Sequence, residues 1–356
     1  MRRQTDGWAR GSDCTANRRA AGLLIALVCL AGIALPAQQA PDTTRPTFEA
    51  WLDGVREDAR SRGLSDTVVD EALRGVERQD IVLERDLMQA EFTLSFDRYL
   101  TQRLAPKTVR TGRQMATRHR ALLRAVSAKY GVAPSVIVAI WGVESNFGRF
   151  SGVRPTIAVL ATLGYESRRA EFFRGQLIDA LTILDRGDID LLRLKGSWAG
   201  AMGQVQFMPS SYLRFAVDED GDGRRDIWTS HADIFGSIAN YLREHGWTAG
   251  VRWGREVRVP ATADAAVRAA VTPRESNCRA ARELSAPLPV SRWRSLGVRG
   301  ADGGALPSSE LPASLLQAGS RTLLVYGNYD ALLEYNCANT YAVGVGLLAD
   351  RIAQGR

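Results

Sequence analysis

Apolar residues return every three or four positions through most of this chain, and that spacing commits it to a mainly helical fold. Leu52, Val55 and Ala59 form one such stripe, and Phe92, Phe96 and Leu100 another. Phe48 to about Tyr130 is therefore expected to be α-helical, with a break at Pro106. Ser65 and Asp66 are positioned to cap a helix through Val68, Val69 and Leu73. Pro134 opens a further helix through Val136 to Val143, which stops near Gly148. Another runs from Phe172 to Leu184. A Gly-rich loop, Gly196 to Gly203, leads to a helix beginning near Pro209. An acidic loop at 218–228 precedes a helix through Ile234 to Leu242, which ends at Gly246-Trp247. After Gly250 the period changes. Val251-Arg252-Trp253, Glu256 to Val259 and Thr322 to Tyr326 alternate as strands do, and helical spacing returns from Tyr329 to Ile352. The expected class is mainly α, of α+β type, with a small inserted β element.

The N-terminus points to export. Arg2, Arg3, Arg10, Arg18 and Arg19 precede an apolar run from Ala20 to Leu35 that closes at Pro36-Ala37, the pattern of a secretory signal peptide. The run is short for a membrane span, although an uncleaved anchor is the alternative reading. Acylation at Cys29 is disfavoured, because Leu27 and Val28 stand where small residues are needed. Residues 1–37 hold five Arg and two Asp of the 46 basic and 39 acidic residues, so the remainder carries a net charge of +4. That mild excess suits an anionic polymer such as a cell wall and leaves no nucleic-acid footprint. Two cysteines remain, Cys278 and Cys337; in an oxidising compartment they read as a disulfide, with free thiols as the alternative. Three histidines, none spaced with cysteines, argue against a zinc site.

Two constellations carry chemistry. Ile137, Ile140, Trp141 and Glu144 share one side of a helix, so a carboxylate points with an apolar stripe. Burial raises a carboxyl pKa, as a general acid at neutral pH requires. Position alone decides nothing and better fits a Glu at a fraying helix end, solvated or bonded to Asn146. The second is Asp218-Glu219-Asp220-Gly221-Asp222-Gly223, with carboxylates at positions 1, 3 and 5 and Gly at 6, as in an EF-hand calcium loop. Position 12 is Thr229, so the usual closing Glu is missing; a solvated acidic turn is the alternative.

Gly142-Val143-Glu144-Ser145-Asn146-Phe147-Gly148, followed by the string from Gly196-Ser197-Trp198-Ala199-Gly200 through Gln204-Val205-Gln206-Phe207-Met208-Pro209 to Tyr212, resembles the B-type lytic murein transglycosylases, glycoside hydrolase family 103. The resemblance covers roughly residues 48–354. It implies a lysozyme-like core, flanking helices and a small β domain. The implied organisation is a signal peptide (1–37), a linker (38–47), an α-helical region (48–130), a lysozyme-like catalytic core with the acidic loop (131–247), a β insertion (248–328) and a C-terminal helical segment returning to the cleft (329–356). The implied activity is cleavage of the bond between N-acetylmuramic acid and N-acetylglucosamine, leaving 1,6-anhydromuramic ends. Glu144 would be the single acid and then base, without a catalytic cofactor. Ser197, Gln206, Arg168, Arg169, Tyr241, Tyr335, Asn336, Tyr341 and Tyr99 match family positions at the cleft. Tyrosines at helical spacing also serve as core. The resemblance extends the calcium site to the Arg224 carbonyl and Asp233, although one extra residue between Thr229 and Ala232 puts Asp233 out of step. Cys337 inside the cleft segment is a departure; paired with Cys278, it would tie that wall to the β insertion. The implied setting is periplasmic, with membrane association left open. The implied partners of a monomer are peptidoglycan strands and, as further candidates, wall-synthesis proteins. A hydrolytic muramidase and a non-enzymatic wall-binding protein are the competing readings.

Overall fold

The computed structural model describes residues 45–88 and 94–354. The expected signal segment with Cys29, residues 38–44 of the linker, and Phe92 lie outside the described residues. The first helices are α1 (Phe48–Ser61), α2 (Asp66–Leu73), α3 (Asp80–Met88), α4 (Phe96–Arg103), α5 (Pro106–Arg118) and α6 (Arg120–Tyr130). Leu52, Val55 and Ala59 are the buried stripe of α1, and Leu123, Val126 and Tyr130 that of α6. Thr47 caps α1 by accepting from the Ala50 N–H at 3.2 Å. Ser65 precedes α2, but its side chain makes no cap bond. Its hydroxyl donates to Asp185 at 2.6 Å instead, fastening α2 to a distant segment. Pro106 occupies the first turn of α5, where a missing N–H costs little.

The next segment forms the centre. It comprises α7 (Pro134–Ser145), β1 (Arg154–Pro155), α8 (Thr156–Glu166), α9 (Ala170–Asp185), β2 (Lys195–Gly196), α10 (Pro209–Phe215) and α11 (His231–Glu244). Ten residues of α7 are buried, including Ile137, Ile140 and Trp141, so this helix is enclosed on nearly every side rather than on one face. The spacing does not announce α8. Eight of its residues are buried, and a helix apolar all round has no polar face to mark its period.

The remainder comprises β3 (Gly254–Arg258), α12 (Asp264–Ala270), β4 (Leu288–Pro289), α13 (Val290–Ser295), β5 (Arg299–Gly300), β6 (Pro312–Ala318), β7 (Arg321–Val325), α14 (Gly327–Tyr335) and α15 (Asn339–Ala353). Five strands pair antiparallel in the order β4-β6-β7-β3-β5. A separate small core, with Trp293 fully buried among Val257, Val267 and Leu324, holds this element together. Three details differ from the spacing. Val251 to Trp253 precede the first strand rather than joining it. Two helices, α12 and α13, interleave the sheet. The helical stretch after Tyr329 is broken at Asn336 to Ala338, where the chain extends before α15. That break carries the disulfide: Cys278 and Cys337 are bonded, with Cα atoms 5.7 Å apart. Beside it Asn339 donates to the Ala280 carbonyl at 2.9 Å and to Glu283 at 2.8 Å. Among the described residues no single helix is long and apolar enough to cross a membrane.

Candidate active site

Glu144 lies in the last turn of α7, and the chain behind it folds back sharply. Asn146 and Phe147 adopt φ of 51° and 59°, and Gly148 follows at 78°. Two successive non-glycine residues in the left-handed region cost on the order of 1–3 kcal/mol each and persist only where packing dictates them. Here Gly142 makes room: a Cβ on it would lie 2.5 Å from the Phe147 ring, so only glycine lets that ring tuck beneath the helix. Ser145 locks the turn, donating to the Trp141 carbonyl at 2.8 Å and accepting from the Gly148 N–H at 3.0 Å. Gln204 ties the turn to the Gly-rich loop. It accepts from Trp141 Nε1 and donates to the Trp228 carbonyl, both at 2.7 Å.

The Gly-rich loop is built as a ledge. Ser197 N–H donates to the Ala201 carbonyl at 2.7 Å, and the Ser197 hydroxyl oxygen accepts from the Ala199 and Ala201 N–H groups. With its oxygen so engaged, that hydroxyl has its proton left to donate. Gln206 sits at φ 53° and donates its side-chain amide to the Gly203 carbonyl at 2.8 Å, leaving its side-chain oxygen open.

The C-terminal helices close over this ledge. Tyr335 donates to the Val205 carbonyl at 2.8 Å, pinning the end of α14 to the loop. Its ring lies 4.7 Å from Tyr241 and 6.2 Å from Tyr341. Tyr241 is buried and donates its hydroxyl to the Glu334 carbonyl at 2.7 Å, so it supports Tyr335 from behind. Tyr341, on α15, is 4% exposed, and its hydroxyl lies toward Glu144 without completing a hydrogen bond among the described residues. Tyr99 packs against α15 where Gly344 leaves space: a Cβ there would lie 3.1 Å from the Tyr99 ring. Asn336, at the break, is exposed, with only its backbone hydrogen-bonded.

Electrostatics bring these groups to Glu144. Burial pushes its carboxyl up to about 7, against the opposing pull of the Tyr341 hydroxyl and the Arg103 guanidinium. Burial, and then the Glu144 charge, hold Tyr335 and Tyr341 well above the ordinary phenol range, so both remain neutral donors. Among the described residues no second carboxylate acts on Glu144. Arg103 is the residue that sequence reasoning missed. It lies on α4, donates weakly to the Val143 carbonyl at 3.4 Å, and sits 5.2 Å from the Tyr99 ring centroid. Arg168 and Arg169 are exposed just before α9, and Arg169 lies over the rings of Phe172 and Phe173. No contact joins either to the cluster around Glu144 among the described residues.

In the acidic loop Asp218, Asp220 and Asp222 each offer an oxygen, all within 4.8 Å of one another. Oxygens sharing a calcium ion at roughly 2.4 Å fall within that span, so these three fit the ion. The Arg224 carbonyl accepts no hydrogen bond among the described residues. Glu219 turns away, taking Lys129 at 2.8 Å and the Tyr130 hydroxyl at 2.7 Å. Asp233 is fully buried and accepts from the Glu219 and Asp226 N–H groups at 2.7 Å each, clasping the two arms of the loop. Burial raises it to about 6.

Residues 47–350 match the transglycosylase SLT domain family. The chain is 43% identical over 154 residues to the membrane-bound lytic murein transglycosylase B of Escherichia coli K12, an overlap that covers 43% of this chain and only 42% of that relative. SltB3 of Pseudomonas aeruginosa, solved in complex with NAG-anhNAM-pentapeptide, superposes with a TM-score of 0.80 at 43% identity, over 87% of this chain and 80% of that one. Slt35 of Escherichia coli, solved in complex with calcium, superposes with a TM-score of 0.70 at 29% identity, over 88% of this chain and 94% of that one.

Proposed function

This chain belongs to the transglycosylase SLT domain family, and on that premise we propose that it cleaves peptidoglycan between N-acetylmuramic acid and N-acetylglucosamine, closing the muramyl residue into a 1,6-anhydro ring. The observation that carries the reading is Glu144 itself: a carboxyl raised to about 7 by burial, with no second carboxylate acting on it among the described residues. Paired-carboxylate glycosidases need a second acid for a nucleophile or a water. Where none is present, the substrate must supply the second group.

Protonated Glu144 gives its proton to the glycosidic oxygen as the C1–O bond breaks, and the acetamido carbonyl stabilises the oxocarbenium-like centre. The Glu144 carboxylate then takes the proton of the muramyl C6 hydroxyl while that oxygen bonds to C1. Atoms and charge balance without water, and attack within one sugar gains the proximity advantage of an intramolecular reaction. Tyr341, whose hydroxyl lies toward Glu144, and Arg103 stabilise the carboxylate between the two transfers. Ser197 and the open oxygen of Gln206 bind along the ledge. Tyr99, Tyr335 and Asn336 line the opposite wall, Tyr241 backs it, and Arg168 and Arg169 meet muramyl carboxylates further out. SltB3 holding a NAG-anhNAM-pentapeptide supports this substrate class.

Asp218, Asp220, Asp222, the Arg224 carbonyl and Asp233 are the proposed calcium ligands, supported by the Slt35 calcium complex. The ion would neutralise the loop and brace α11. A periplasmic location follows from the substrate and from the membrane-bound relative. Mass spectrometry of muropeptides released from purified sacculi tests the reading. Products one water lighter than the hydrolysis products are expected; hydrated products would assign a muramidase, and binding without release a wall-binding protein.

A further inference from the structure

From Arg98 to Val143 the chain carries nine Lys and Arg and no Asp or Glu. Elsewhere its arginines are freely paired: Arg60, Arg78, Arg174, Arg225 and Arg274 each meet a carboxylate within 3.2 Å. From this run only Lys129 does so among the described residues. Apart from Arg98 and Arg103 on α4, the unpaired residues of the run lie on α5 and α6. Lys107, Arg110 and Arg118 are exposed on α5, and Arg120 and Arg124, four apart and exposed, lie on α6. Where the two helices meet, Arg113, Thr117, Arg120 and Arg124 line a cavity of about 240 Å³, closed beneath by Leu123 and Ile352. No carboxylate lines it. Arg113 is held in place by donating Nε and one Nη to the Arg351 carbonyl at 3.1 and 2.8 Å. None of these residues belongs to the cluster around Glu144.

We propose that this acid-free face of α5 and α6, centred on the three-arginine cavity, docks the protein on the phosphate headgroups of an anionic lipid surface. Guanidinium forks match phosphate oxygens in a bidentate way, and three around one small cavity with a hydroxyl beside them suit a single phosphate. The charges continue past the cavity over exposed α5, where a flat polyanion meets several together and a lone anion cannot. The apolar run from Ala20 to Leu35 brings the chain to a membrane during export, so such a surface is within reach. Docking would hold the glycan cleft beside the wall without engaging any cleft residue.

The full chain is mixed with vesicles of phosphatidylcholine, or of phosphatidylcholine and phosphatidylglycerol in equal parts, and bound protein is sedimented. The five arginines before the apolar run also favour anionic headgroups, so the face is read from the difference between the native chain and a variant that shares that segment. Stronger binding to the anionic vesicles, lost at high salt, is expected. Arg120→Gln with Arg124→Gln removes two exposed, unpaired charges, and at roughly fivefold per arginine should weaken anionic binding about 30-fold. Cleavage of soluble glycan strands should stay unchanged, which also shows that the variant is folded. Equal binding to both vesicles, or no effect of the double substitution, overturns the proposal. Loss of sacculus binding with vesicle binding intact would reassign the face to the wall, and competition by millimolar inorganic phosphate alone would reassign it to a free anion.

Discussion

Replacing Glu144 with Gln should strengthen the fold at alkaline pH while it abolishes cleavage. The carboxyl titrates at an ordinary 4.5 in the unfolded chain and at about 7 in the folded one, because burial penalises its charge. Below the unfolded value both states hold the proton, and the group contributes nothing. As pH rises through that interval the unfolded chain ionises first, so Glu144 progressively favours unfolding. Above about 7 the penalty is complete, and at about 1.36 kcal/mol per pH unit it comes to somewhat more than 3 kcal/mol before solvent screening. One edge of the residue is partly exposed, so about 2–3 kcal/mol is the expected size. Gln keeps the shape, cannot ionise, and still faces the Tyr341 hydroxyl. Urea unfolding of both proteins at about pH 4 and about pH 8 isolates this term, because every other titrating group is common to both. The two should match in acid and differ by 2–3 kcal/mol, with Gln more stable, in base. An equal difference at both pH values, or a less stable Gln variant in base, would refute the argument that burial sets this acid.

Arg103→Gln should move the alkaline limb of kcat/KM upward by about one pH unit or less and lower kcat, since a cation beside Glu144 is removed. Arg103→Lys should retain the native profile; a flat response to both means that Arg103 does not act on Glu144. The Cys278–Cys337 bond closes a loop with a sequence separation of 59, so replacing both residues by Ser should cost about 4 kcal/mol or somewhat less in denaturant unfolding under oxidising conditions. No loss would mean that the loop is already confined without the bond. Calcium at a hundredfold excess over its dissociation constant should stabilise the native chain by about 2.7 kcal/mol. Asp220→Asn with Asp222→Asn should abolish that gain, and calorimetric titration should then show no binding.

The fold was legible where one face of an element differs from the other. The stripe of Leu52, Val55 and Ala59 appears because the rest of α1 is polar. By the same logic α8, buried on nearly every side, has no contrast to read. Local alternation also overstated the sheet. Trp253 fits a strand pattern, but its indole donates to Asp350 at 3.2 Å and its carbonyl accepts from the Tyr326 N–H, so it serves as the hinge into the sheet. In β6 the reverse held: a strand beginning at Pro312 looks like punctuation until its pairing with β7 is known.

The site divides along the same line. Glu144 could be singled out because its neighbours at three and four positions are on the same helix, and the Gly-rich loop because its residues are contiguous. What tunes Glu144 is harder to read, because each tuning group arrives on another element: Tyr341 came only with the family resemblance, and Arg103 not at all. Arg103 stands on α4 and Tyr341 on α15, with Tyr335 of α14 beside it, and none is marked out by the spacing of its own helix. Gln204 is the clearest case. In sequence it is one more residue of the Gly-rich string, yet in the fold it joins Trp141 to Trp228 and so fixes the angle at which α7 delivers its carboxylate. A chemical group can thus be read from spacing, while its pKa belongs to the packing of four helices. An acid held near neutrality therefore depends on Gly142, Phe147 and Gln204, which shape the turn behind it, as well as on Glu144 itself.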